Sequence, residues 1–281
     1  MEDLIRSDET EFTEEVFSFP PVRIAVVAHK ENDWFQESVA SFANLNYLDK
    51  QLTVLTTGQM EWVEPIVSQY FPDAEILEVD PEAGLGANFN AVLSNHDEPA
   101  FYLFCHHDVA LAPDALRLMV EESYRSNAAV VGPKVVNWER PNELLDVGNV
   151  MNSLAVAVQR VEAGEIDQEQ FDSVEQVFAV SNTTFLVRAD LFRALGGFDE
   201  EMGMFGEDLD FCWRAQIAGG KIMVVPGAIA RHRDESGDYQ TNPKRSRLME
   251  RHRLRSILSN YGKVRVPVSY THLRAHETET N

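Results

Sequence analysis

A mainly parallel α/β sheet flanked by helices is the fold class this sequence predicts, and three observations carry the prediction. Short β-branched or aromatic runs recur at VRIAVVA (Val22–Ala28), Leu52–Leu55, Ala74–Val79 and AFYLFC (Ala100–Cys105). Stretches of helical period lie between them, and strands that alternate with helices build parallel sheets through crossover connections. Composition agrees: 44% of the 281 residues are hydrophobic and 25% are charged, which supports one large core and excludes wholesale disorder.

Each element has a local reason. Val22–Ala28 is apolar throughout, as a strand buried on both faces must be. Asp33 is expected to cap a helix running through Ala43, with Trp34, Val39 and Phe42 inward. Leu52–Leu55 is the second strand, Glu61–Tyr70 the second helix and Ala74–Val79 the third strand. GLGANFNAVL (Gly84–Leu93) opens a helix, and Ala100–Cys105 is the fourth strand. Ala115–Ser126 is helical, and Ala129–Val131 starts the strand VVGPKVV. From Asn137 to Val174 neither period is present and acids and Gln dominate. FAVSNTTFLVR (Phe178–Arg188) then reads as a strand, Ala189–Leu195 as a helix and GGFDE (Gly196–Glu200) as a turn. A further helix starts near Glu207, and KIMVVP (Lys221–Pro226) is a late strand.

Charge and cysteine usage narrow the partners. With 24 Lys and Arg against 46 Asp and Glu, the net charge is −22, which excludes nucleic acid as a partner. Cys105 and Cys212 are too few for a disulfide framework and are expected reduced in the core. No apolar run approaches the ~20 residues of a membrane helix, and MEDLIRSDETEFTEE lacks the pattern of a signal peptide. The chain therefore reads as soluble and cytoplasmic. Residues 1–21 form an acidic mobile arm, and residues 263–281 a tail. Within that tail VSYTHLRAHET (Val268–Thr278) resembles a translated sequencing adapter, so the natural chain is expected to leave this sequence near Pro267. After His232 the charge reverses: Lys244, Arg245, Arg247, Arg251, Arg253 and Arg255 form a basic segment suited to a diphosphate or to an anionic membrane surface.

Three places could carry chemistry. His106-His107-Asp108 follows a strand, where a carboxylate and imidazoles could hold magnesium or manganese; a polar strand end with a capping Asp is the plainer alternative. Gly206-Glu207-Asp208-Leu209-Asp210 offers a general base at a helix start, or simple capping by acids at the positive end of the helix dipole. His232 stands alone between Arg231 and Arg233. GLGANFN has only two of the three glycines of a dinucleotide fingerprint and follows the third strand, so it does not support a nicotinamide cofactor.

In order, a strand ending in HHD, then GGFDE, EDLDFCWR, a VVP strand and a His resembles the family-two inverting glycosyltransferases of GT-A fold. The resemblance spans roughly Val22–Tyr261 and is similar in FCHHDVALAPDAL and VVGPKVVNWERPNELLDVG to bacterial cell-envelope rhamnosyl- and galactofuranosyltransferase-like members. It implies one domain over residues 22–262, with a nucleotide-sugar half at 22–136 and an acceptor half at 137–262. It also implies Asp108, His232 and His106 as ligands of a divalent cation, manganese or magnesium. HHD departs from the family's acidic motif at its first two positions, which puts metal dependence in question. Asp208 takes the place of the catalytic base, with Glu207 beside it. Contacts to the nucleotide-diphospho-sugar fall to Thr56, Asp80, Gly86, Asn90, His106, Arg251 and Arg253, and Asp199 and Arg214 are architectural. The acceptor would be a hydroxyl of a cell-envelope glycan or glycolipid. A non-catalytic GT-A-like scaffold binding glycan or nucleotide, a nucleotidyltransferase and a metal-dependent hydrolase are the competing classes.

Overall fold

The computed structural model describes residues 19–29, 31–58, 60–94, 98–152, 156–233 and 243–260. Most of the acidic arm, residues 1–18, and the adapter-like stretch Val268–Thr278 lie outside the described residues. At the arm's end, Phe19 packs edge-on against Tyr47, whose hydroxyl donates to the Pro20 carbonyl.

The first half follows the expected alternation: β1 (Val22–Ala28), α1 (Trp34–Ala43), β2 (Lys50–Thr56), α2 (Met60–Tyr70), β3 (Glu75–Glu78), α3 (Leu85–Phe89) and β4 (Phe101–His106). β1 pairs in parallel with β2 and β4, and β2 with β3. Along β1, Val22, Ile24 and Val26 enter one apolar layer and Ala25 and Val27 the other, so the continuous apolar run is a strand covered on both faces. In α1 the cap differs from expectation. Asp33 makes no capping bond, and Asn32 Oδ1 instead accepts the Phe35 N–H at 2.8 Å. That sets Phe35, Val39 and Phe42 into the core and leaves Trp34 half-buried.

GLGANFNAVL forms only the short α3 and then a 3-10 turn, Asn90–Ser94. The reason is packing against the later chain. Gly84 has φ +86°, and a Cβ there would stand 2.2 Å from the Gly203 carbonyl oxygen. Gly84→Ala therefore combines left-handed strain with a backbone clash and is expected to destabilise the fold by about 3 kcal/mol. Urea unfolding checks this; a midpoint equal to that of the unmodified chain would contradict the packing described.

The second half is β5 (Val109–Leu111), α4 (Ala115–Ser126), β6 (Ala128–Asn137), β7 (Leu144–Asp146), β8 (Asn149–Met151), β9 (Ala157–Gln159), β10 (Glu175–Gln176), β11 (Thr184–Arg188), α5 (Ala189–Ala194), α6 (Glu207–Ile217), β12 (Lys221–His232) and α7 (Pro243–Asn260). The main sheet has the order β10-β12-β6-β11-β4-β1-β2-β3 and is mixed, because β11 runs antiparallel between β4 and β6. β6 and β12 are parallel. Two expectations are corrected here. The strand expected over Phe178–Arg188 is a strand only from Thr184, because consecutive polar residues Ser181, Asn182 and Thr183 close a turn. The strand expected to end at Pro226 continues to His232, since Pro226 and Gly227 fall in a register shift between Val225 and Ile229, where a missing N–H costs no ladder bond. The irregular stretch after Asn137 is anchored by Lys134, 3% exposed, whose ammonium bonds Asp167 and Asp172. Both cysteines are free and buried, and burial pushes each thiol up to about 12. Among the described residues no helix is long and apolar enough to cross a membrane.

Candidate active site

Open α/β sheets bind ligands beyond the carboxyl ends of their strands. β1, β2 and β4 end side by side, with Ala28 opposite Thr56 and Val27 opposite His106. Asp80 follows β3 at the same edge, where its carboxylate accepts the Glu82 N–H. The topology thus brings Thr56, Asp80 and the HHD turn to one rim.

His232 reaches that rim through β5, an element that has no sequence signature. Directly after Asp108, β5 pairs antiparallel with the end of β12 and sets Val109 opposite His232. His232 Nε2 then lies 3.3 Å from Asp108 Oδ2, and the His106 and His232 rings are 5.7 Å apart. One donor atom from each of His106, Asp108 and His232 lies within 4.8 Å of the other two. Burial, reinforced by His232, pushes the His106 imidazole down to about 3, so it is neutral, the form that binds metals. Burial alone would raise the Asp108 carboxyl. The hydrogen bond with His232 and the three neighbouring imidazoles outweigh it and hold the group well below the usual carboxylate range.

These residues fit a divalent cation. His106 Nε2 is buried and has no hydrogen-bond partner, an atom that a cation would satisfy. Two imidazoles and one carboxylate suit manganese better than magnesium, which prefers oxygen alone. Both neighbours of His232 are fixed: Arg231 lies 4.9 Å over the Trp138 ring, and Arg233 lies over Trp34 and Trp138 at 4.6 and 5.3 Å. Each cation–π contact is worth about 1 kcal/mol, and together they hold the strand end against the body.

The acid pair is built by the GGFDE turn and the loop before α6. Asn90 clamps the turn, its carbonyl accepting the Phe198 N–H at 2.8 Å and its amide donating to the Phe198 carbonyl at 2.9 Å. Gly86 gives room to Phe198 and to the Glu207 side chain, which a Cβ would meet at 3.0 and 3.1 Å. Asp199 accepts the Glu201 N–H and pairs with Arg255, while Arg214 binds Asp210 and the carbonyls of Leu195 and Gly197. Phe205 adopts φ +71°, unusual for a residue with a side chain, and its carbonyl accepts a hydrogen bond from His252 Nδ1 of α7 at 2.6 Å. Strain at this corner aims the first turn of α6.

Glu207 and Asp208 differ in access. Glu207 is 1% exposed and its Oε2 has no hydrogen-bond partner, whereas Asp208 is half-buried. Burial and then the Asp208 charge push Glu207 up to about 7; burial also raises Asp208. Because the folded value of Glu207 exceeds its ordinary value, its stabilising contribution is complete below about 4.5 and fades as pH climbs through 7. Glu207→Gln removes that dependence. The thermal midpoint of the variant should gain on the unmodified chain from about pH 5 to about pH 8. A difference that stays constant across the range would contradict the assignment.

Two polar residues of this site are absent from the sequence reading. Asn182 donates its main-chain N–H to Asp208 Oδ2 at 3.0 Å and its side-chain amide to Glu207 Oε1 at 2.7 Å. Its signal was present, as four polar residues interrupt an apolar run. Asp146, at the end of β7, is buried and accepts the Gly148 N–H at 2.6 Å; burial, with Asp208 adding, pushes it up to about 6. Nothing marks it among the acids of its region. Arg251 and Arg253 lie on α7, where Arg251 is exposed and Arg253 pairs with Glu250.

Over 53 residues, 19% of this chain, the sequence is 40% identical to a pre-mycofactocin glycosyltransferase of Mycobacterium tuberculosis, and it spans only 11% of that protein. The fold matches a crystal structure of GalNAc-T7 with UDP, GalNAc and Mn2+ at a TM-score of 0.62 and 12% identity, covering 76% of this chain and 43% of that one. It matches S. aureus TarS at 0.60 and 15%, covering 88% and 41%. The sheet order and flanking helices are those of a GT-A fold. With a family model for "Glycosyltransferase like family 2" matching residues 20–258, from the packed end of the arm to the last turn of α7, the chain belongs to glycosyltransferase-like family 2.

Proposed function

We propose that the chain transfers a sugar, with inversion, from a nucleotide-diphosphate donor to a hydroxyl of a cell-envelope glycan or glycolipid. The observation that supports it most is the convergence of two unlike centres on one sheet edge. A His-Asp-His set suited to a cation and a half-buried carboxylate on a helix start are joined by the two-residue link Asn182-Thr183, since the Thr183 carbonyl accepts the His106 N–H at 2.9 Å.

Asp208 takes the proton from the acceptor hydroxyl as that oxygen forms its bond to the anomeric carbon. The bond from that carbon to the diphosphate breaks on the opposite face, and the negative charge leaves with the nucleoside diphosphate. A divalent cation held by His106, Asp108 and His232 would offset that charge. Glu207, closed off from solvent, supports Asp208 rather than touching the acceptor. Asp80 at the rim lines the donor side, Thr56 at the end of β2 is fully buried behind that rim, and Gly86 and Asn90 seat the acid pair against it. Arg251, exposed on α7, is suited to the diphosphate or to an anionic lipid surface that presents the acceptor. The GalNAc-T7 structure, which contains UDP and Mn2+, supports the pairing of nucleotide and metal.

The deciding experiment is a binding titration with UDP, dTDP and GDP, each with and without manganese, followed by transfer assays with sugars on the nucleotide that binds. One nucleotide bound more tightly with manganese supports the proposal. Metal-independent binding without transfer would favour a glycan- or nucleotide-binding scaffold.

A further inference from the structure

We propose that Asn182 is the positioning residue that holds Glu207 and Asp208 as two separate carboxylates, Glu207 closed off from solvent and Asp208 on the acceptor side. The inference deepens the function proposed above and rests on it for its kinetic arm. Adjacent residues on a helix start point about 100° apart, and a single residue outside α6 reaches both carboxylates. Asn182 does both: its main-chain N–H binds Asp208 Oδ2 and its amide binds Glu207 Oε1. The turn that carries it cannot swing. Ser181 Oγ bonds Thr183 Oγ1 at 2.7 Å and the Thr183 N–H at 3.1 Å, and the Thr183 carbonyl is tied to the His106 N–H.

The two contacts are unequal. Asp208 receives two main-chain N–H groups, from Asn182 and Leu209, one on each oxygen, and backbone donors of this kind favour the ionised form. Glu207 receives the Asn182 amide on Oε1 besides main-chain donors, and its buried Oε2 has no hydrogen-bond partner and is the oxygen left for a proton. Among the described residues, other titratable groups near the pair are Asp146 from β7, buried Cys212 one turn along α6 and, through the Phe205 carbonyl, His252 of α7. Asn182→Ala removes only the amide contact and leaves the main-chain donor to Asp208 in place. Asn182→Asp keeps the shape and turns that donor into an acceptor, which Glu207 can satisfy only by holding its proton.

The test uses the full chain and four variants: Asn182→Ala, Asn182→Asp, Glu207→Gln and the Asn182→Ala/Glu207→Gln pair. Infrared difference titration should show a protonated carboxyl near neutral pH that is lost in Glu207→Gln. That band should titrate about one pH unit higher in Asn182→Ala and higher still in Asn182→Asp. With a transferring donor, Asn182→Ala should lower kcat about 30-fold, with KM for the donor within about twofold. In the Glu207→Gln background the same change should cost less than about threefold. An unmoved band in both Asn182 variants, or equal kcat losses in the two backgrounds, would overturn the proposal. If the chain transfers no sugar at all, the proposed function fails while the infrared titration still decides the role of Asn182.

Discussion

Asp208→Asn is expected to lower turnover by about 1,000-fold while nucleotide binding stays within about twofold, the signature of removing a general base and little else. Asn is isosteric with Asp and accepts no proton at neutral pH. The site makes the substitution more than a loss of charge. Both Asp208 oxygens accept main-chain N–H groups, from Asn182 at 3.0 Å and from Leu209 at 2.8 Å. An amide has one acceptor oxygen, so its NH2 must face one of those donors, and the variant should be less stable by about 1 kcal/mol. Kinetics and thermal unfolding together separate the two effects, because a shift of that size leaves the population folded at working temperature. Glu207→Gln is the control. If Glu207 were the base, its loss would be the larger, but a side chain 1% exposed, packed beside Gly86 and bonded by Asn182, has no path to an acceptor hydroxyl. Turnover retained by Asp208→Asn and abolished by Glu207→Gln would reverse the assignment.

How much of this was legible depended on how local each signal is. β1 and β4 could be read because a strand buried on both faces is apolar at every position, as VRIAVVA and AFYLFC are. The GGFDE turn and α6 could be read because their residues fall in a pattern resembling a known family. β5 could not, since three residues, Val109–Leu111, are a strand only by virtue of β12, which arrives far downstream to pair with them. That pairing makes His232 a neighbour of Asp108, so a histidine that looked isolated in sequence is part of the site. The polar break at Ser181–Thr184 marked a turn around Asn182, but its role was not legible because it lies in a tertiary contact to α6. Asp146 was hidden by company: among many acids, burial alone distinguishes it, and burial has no local signature there. The departure from the family's acidic motif at His106 also looks different in three dimensions. An imidazole in that position supplies a neutral donor beside a carboxylate already held ionised, a set that could hold a cation tolerant of nitrogen ligands.

That reasoning makes Asp108→Ala the most informative change on the donor side. Loss of hydrogen-bond partners outside a metal's own ligand set costs about 10- to 100-fold in affinity, so loss of the one anionic ligand should cost at least about 100-fold. Nucleotide affinity measured in manganese should fall by that order, and with the metal chelated the variant and the unmodified chain should bind alike. Asp108→Asn offers the finer comparison. It keeps the volume between His106 and His232 and a polar contact to His232 at the same place, but carries no charge. If Asp108 only braced the end of β5 against β12, Asn would preserve binding and Ala would lose it equally with and without manganese. If it holds a cation, Asn and Ala should fail together in manganese and nowhere else. Two imidazoles are left behind, so nickel or zinc should recover more of the nucleotide binding in Asp108→Ala than magnesium does, because softer ions tolerate a nitrogen-only site.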